Sequence, residues 1–179
     1  MIRVDQHKYQ EFSRLFFLLI KLVYNKTIMQ IPSSLQPFPK KTLIVVTNSY
    51  KAKLFEADDR LLKTAGEVDV TSDLIQDSGE RETINLGGGG FASNDEIGAK
   101  KEHITKDHFY NALNKELMHR LQNNEFAALV FTVPGDLKNE LMESLHGQLL
   151  KKTALFIPMN LINEEPLEII AAIQETPDE

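Results

Sequence analysis

The chain has 179 residues, 42% of them apolar, which suits one soluble globular domain with an appendage. It contains no cysteine, so disulfides, thiolate catalysis and cysteine-ligated zinc are excluded, and a reducing cytoplasm is the expected location. Charge is uneven: residues 1–41 hold seven Lys/Arg against two acids, a net of +5, which leaves residues 42–179 at −11 and disfavours nonspecific nucleic-acid binding.

Residues 1–41 read as an extension, either disordered or a gene-model artefact, with Met1 and Met29 both open as the start. Within it, residues 12–24 (FSRLFFLLIKLVY) are strongly apolar, but Arg14 and Lys21 interrupt them. The unbroken run 15–20 is far shorter than the roughly 20 residues a bilayer span needs, so no stable membrane span is expected. No A-x-A-like site follows to mark a signal peptide, and an amphipathic surface helix is the alternative. Residues 30–41, with Pro32, Pro37 and Pro39, read as a tail leading into the domain.

Residues 42–47 (TLIVVT) form a β-branched run, the pattern of a strand buried on both faces. Asn48-Ser49 supplies turn chemistry, and residues 51–57 form a second strand. Asp58-Asp59-Arg60 turns the chain into a third strand over 61–70, with an irregularity at Gly66. Three strands with short turns predict an antiparallel meander. Residues 73–101 lack sustained periodicity and contain Gly87, Gly88, Gly89 and Gly90 in a row. A segment of this length inside a domain is a functional loop or a disordered one.

The period then becomes helical. Phe109, Ala112, Leu113, Leu117 and Leu121 predict a helix over 106–123, with Thr105 as its N-cap. Residues 127–133 form a strand ending at Pro134-Gly135. Asp136 is the expected cap of a helix carrying Leu137, Leu141, Leu145 and Leu149, with a stop or kink at Gly147. Residues 153–158 form another buried strand. Asn163 is the expected cap of a last helix, and residues 176–179 an acidic tail. The order predicts an α/β domain over 42–175: a mixed five-stranded sheet, made of the meander plus two parallel strands, with helices on its faces.

Motifs for known chemistries are missing. The glycine run fits neither a P-loop nor a dinucleotide fingerprint, although successive glycine N–H groups can form an anion nest. The histidines lack metal-ligand spacing, no G-x-S-x-G occurs, and the first core strand holds no acid of the kind a two-metal nuclease needs. No cofactor or metal is implied. The local base-rich pieces of the acidic body are Lys100, Lys101, His103, Lys106 and Arg120, after the glycine run. With Gly87 to Gly90 and Phe91 they are the candidate partner-binding residues, set against an ordinary solvated surface.

The pieces in this order resemble the bacterial host-attachment protein family, single-domain relatives of the middle domain of archaeal and eukaryotic peptide-chain release factors. The stretches that carry the likeness are 42–56 (TLIVVTNSYKAKLFE), 73–81, 131–145 (FTVPGDLKNELMESL) and 157–167 (IPMNLINEEPL). The resemblance implies a ribonuclease H-like fold without its catalytic acids, and a partner such as the ribosome or structured RNA. In release factors the corresponding loop carries Gly-Gly-Gln. Here Phe91 follows the glycines and no glutamine is present, so the resemblance implies a non-enzymatic, translation-associated contact. A surface-attachment or protein-interaction role is the alternative, and a peptidyl-tRNA or RNA hydrolase the weaker one.

Overall fold

The central element is the buried strand β2, Phe38–Thr47, which pairs antiparallel with β3 (Lys51–Asp59) on one side and parallel with β5 (Ala128–Thr132) on the other. The computed structural model describes residues 28–71 and 94–176, and for residues 94–103 the backbone alone. The glycine run, residues 12–24 and the extreme carboxyl tail lie outside the described residues. The remaining elements are β1 (Ile28–Gln30), β4 (Leu61–Asp69), α1 (Asn94–Gln122), α2 (Lys138–Ser144), α3 (Gly147–Leu150), β6 (Thr153–Ile157) and α4 (Pro166–Glu175).

The sheet has six strands in the order β1-β4-β3-β2-β5-β6, one more than the sequence predicts. The sixth comes from residues expected to lie in a tail. β1 pairs antiparallel with β4, Met29 opposite Leu62, and Ile31 is 1% exposed. Arg60 Nη1 donates to the Pro32 and Leu35 carbonyls, each at 3.0 Å. Gln36 and Gln174 exchange two hydrogen bonds of 2.8 Å, which tie this segment to α4. β2 also starts earlier than expected, and Pro39 falls in its register irregularity, where a missing N–H is tolerated.

Alternation along β2 divides the core. Leu43 and Val45 face α1, α2 and α3, together with Phe109, Leu113, Leu117, Leu141 and Leu149. Ile44 and Val46 face α4, with Ile169, Ile170 and Ile173. The result is helix, sheet, helix in three layers. The meander and the two parallel strands stand as the sequence predicts, and the irregularity at Gly66 is a β-bulge. Leu54 pairs with Gly66 and Phe55 with Thr64, so Ala65 is the extra residue, and Gly66 sits at φ +127°.

Helix boundaries depart further from the sequence reading. α1 begins at Asn94, not near residue 106, so Thr105 lies in the helix interior, 3% exposed, and is not its N-cap. Asp95 and Glu96 favour a helix start, and residues 99–102 (AKKE) are good helix formers that extend the helix toward the core-facing stripe. The helix closes on Asn124 in the left-handed region (φ 56°), with Glu125 N donating to Arg120 O in a Schellman motif. Leu137, not Asp136, holds the cap position of α2. The predicted helix after it is broken in two at Leu145-His146, with Gly147 opening α3, yet all four leucines of the predicted stripe are buried. Glu165, not Asn163, caps α4, because Pro166 fixes the first turn and Glu168 completes a capping box.

Candidate functional site at the carboxyl end of the sheet

β2, β4, β5 and β6 all run in one direction, so Thr47, Asp69, Thr132 and Ile157 end at the same edge of the sheet, where β3 begins at Lys51. In open α/β sheets ligands gather at such carboxyl ends, where strand order switches. The segment that carries the glycine run leaves from this edge, after β4, and rejoins the described chain at the start of α1.

Its root is held by polar contacts. Asn48 Oδ1 accepts from the N–H groups of Tyr50 and Lys51, both at 2.9 Å, closing the β2–β3 turn. Val70 N donates to Tyr50 O at 3.2 Å. The Lys51 ammonium lies 3.1 Å from Glu67 Oε2 and 3.3 Å from Asp69 Oδ2. The other oxygen of Asp69 accepts from the Thr71 N–H at 2.9 Å and its hydroxyl at 2.5 Å. The Thr71 bonds hold the Asp69 carboxyl below its ordinary range, and Lys51 adds to the effect. Glu67 and Asp69 in turn raise Lys51. This root carries more negative than positive charge, so it does not by itself attract phosphate.

Beside it, the middle of α1 meets α2. Lys106 Nζ lies 3.7 Å from Glu140 Oε2. One turn on, Tyr110 is 6% exposed, and its hydroxyl is buried without a hydrogen bond of ordinary geometry. Burial first, and then the charges of Glu140, Asp107 and Asp136, push the phenol up to about 12. Asn114 joins the two helices: its Nδ2 donates to the Tyr110 and Ser144 carbonyls, both at 2.9 Å, and its Oδ1 accepts from His146 N at 2.8 Å. His146 in turn caps α3, with Nδ1 accepting from Gln148 N at 3.2 Å.

Of the predicted partner-binding residues, side chains are described for Lys106 and Arg120 alone, and these two lie apart on α1. Gly87 to Gly90 and Phe91 lie outside the described residues. Lys100, Lys101 and His103 are placed on the first half of α1, in their backbone alone. Lys106 follows them, in the acid-rich contact with α2. Arg120 is fourteen residues further along, about 21 Å at 1.5 Å per residue. Its guanidinium serves the fold: Nε donates to Glu116 at 2.7 Å, Nη1 to Glu125 at 3.2 Å, and Nη2 to the Ala65 carbonyl at 2.7 Å. The sequence reading missed Tyr110, Asp136 and Glu140 as a group. Tyr110 sits inside an apolar stripe, and Glu140 meets it only through tertiary packing. Among the described residues, no three His, Asp or Glu side chains converge to hold a metal ion, and no helix is long and apolar enough to cross a membrane.

A six-stranded mixed sheet between helices defines an α/β domain. Residues 41–173 match the model of the bacterial archaeo-eukaryotic release factor family 12. The chain belongs to that family. No curated protein matches the sequence.

Proposed function

We propose that the protein is a non-enzymatic, translation-associated module that contacts the ribosome or structured RNA through the glycine-rich loop. The observation that carries this reading is the family match over residues 41–173, in a chain whose glycine run lies between the carboxyl end of β4 and the start of α1. Gly87 to Gly90 and Phe91 supply the contact, with Lys100, Lys101, His103 and Lys106 following on the first half of α1. Arg120 is left out, because its donors are engaged within the fold. The missing glutamine speaks against peptidyl-tRNA hydrolysis, and the net negative charge of the root makes the contact a local one.

The test is co-sedimentation of the full chain with ribosomes, beside a variant whose 87–90 glycine run is shortened. The wild type is expected in the ribosomal fraction and the variant at the top of the gradient. If both remain at the top, the reading is wrong. The apolar stretch 12–24 and the resemblance to host-attachment proteins support a second reading, attachment at a surface. Membrane fractionation that recovers the full chain with vesicles, and a chain lacking 12–24 without them, distinguishes it.

A further inference from the structure

We infer that the open face of β1 and β4, marked by Ile28 and Leu61, is the docking site of residues 12–24 of the same chain, which complete the helical layer on the α1 side of the sheet. The inference is independent of the loop contact proposed above, and it competes with attachment at a membrane through the same residues.

Alternation along the strands identifies the face. Leu54 packs in the core under α1, so Glu56 and Asp58 lie on the same side of β3. Their partners Lys63 and Leu61 on β4 share that side, as do Ile28 and Gln30 on β1. Arg120 brings the end of α1 to the Ala65 carbonyl. Past that point no described element covers the sheet: Leu61 is 56% exposed and Ile28 39%. Leu61 is the most exposed large apolar side chain among the described residues, and Ile28 is its diagonal neighbour. The other side of the same strands is closed, with Met29 and Leu62 packed beside Ile31.

The chain itself leads the occupant to this face. β1 begins at Ile28, and residues 25–27 alone separate it from the apolar stretch 12–24. Connections of this length join a helix to the strand after it, and such a helix folds back over the sheet. As a helix, the stretch spans about 20 Å, roughly twice the length of β1. Its pattern suits one buried side. Phe12, Phe16, Leu19 and Val23 recur at i, i+4, i+7 and i+11, opposite Arg14 and Lys21. Charge agrees: residues 1–27 hold five Lys/Arg against two acids, and the exposed Asp58 and Asp59 stand beside Leu61 in an acidic body. On the face itself Glu56 is paired with Lys41 at 2.8 Å, and the Lys63 stem can lie along an apolar neighbour.

The chain contains no tryptophan, so Phe16→Trp in the full chain supplies a single fluorescent reporter. In the monomer, acrylamide is expected to quench it about 3-fold less than it quenches a peptide of residues 12–24 with the same substitution. Adding Leu61→Asp is expected to restore peptide-like quenching, and Ile28→Ser, on the neighbouring strand, to move it the same way. Both keep the wild-type slope of urea unfolding, which separates release of the segment from loss of the fold. Met159→Asp, an exposed apolar position after β6 at the far edge of the sheet, is the control and is expected to leave quenching unchanged. The inference is overturned if the monomer's reporter is quenched like the peptide, or if Met159→Asp acts as Leu61→Asp does. It is equally overturned if protection disappears on dilution together with a dimer, which makes a second copy the occupant, or arises only with vesicles of equimolar phosphatidylcholine and phosphatidylglycerol.

Discussion

The Arg120 guanidinium donates to the Ala65 carbonyl at 2.7 Å, so the last turns of α1 hold the bulge in β4. This bond joins the longest helix to the sheet at the one residue that β3 leaves unmatched. Arg120→Ala removes it and leaves Glu116 and Glu125 without their cation, at a cost of about 2–3 kcal/mol. Arg120→Lys keeps the charge but not the fork, and is expected to fall between the two. Gly66→Ala tests the same bulge from the backbone. A Cβ there meets Arg120 Nη2 at an ordinary 3.6 Å, so the cost comes from φ +127°, about 1–3 kcal/mol. Urea midpoints at unchanged slope measure all three, and wild-type midpoints would show that the bulge is not under this control.

The strands were legible because their cause is local. β-branched runs at 42–47 and the apolar run at 127–133 need no partner to be recognised, and Gly66 marked its own bulge. β1 was not legible, because three residues near prolines become a strand only through Arg60, Gln174 and the edge of β4. Caps failed for a related reason. Thr105, Asp136 and Asn163 are all competent N-cap residues, but a cap acts only where the helix starts, and the helices run from Asn94, Lys138 and Pro166. At the site, lysines close in sequence were visible. The pairing of Tyr110 and Lys106 with Glu140, 30 and 34 residues away along the chain, was not.

Asn114 uses both ends of its amide to hold α1 against the α2–α3 break. Asn114→Ala leaves Ser144 O and His146 N without these partners and is expected to cost about 1–3 kcal/mol. Asn114→Asp is expected to cost more, because a carboxylate then faces two carbonyl oxygens with no proton to give. Thermal or urea unfolding ranks the two variants, and the opposite order would deny the amide this bridging role.

Thr132 is 0% exposed, and its hydroxyl has no hydrogen-bond partner, whereas the Thr47 hydroxyl donates to the Asn48 carbonyl at 2.9 Å. The same substitution therefore has opposite signs at the two positions. Thr132→Val removes an unsatisfied group at nearly constant shape and is expected to raise stability by about 1 kcal/mol, while Thr47→Val lowers it by about as much. Equal effects on the unfolding midpoint would show that the Thr132 hydroxyl is satisfied in solution.

Stability is expected to fall at both extremes of pH, for different residues. The Asp69 carboxyl lies below its unfolded value, so its contribution is present above about pH 4 and is lost as pH falls through the folded value. Asp69→Asn removes that part of the acid limb, and the effect shrinks in high salt because the group is exposed. Tyr110 acts at the other end. Its phenol is raised to about 12, above the unfolded value of about 10. Below pH 10 both states hold the proton, and the group adds no pH dependence. As pH rises from about 10 toward 12, the unfolded chain ionises first, so stability declines through this window. Tyr110→Phe lacks that decline, and its urea midpoint is expected to drop less between pH 9 and 11 than that of the wild type. Parallel curves for the two proteins would mean that the phenol is not buried among the Glu140, Asp107 and Asp136 charges in solution.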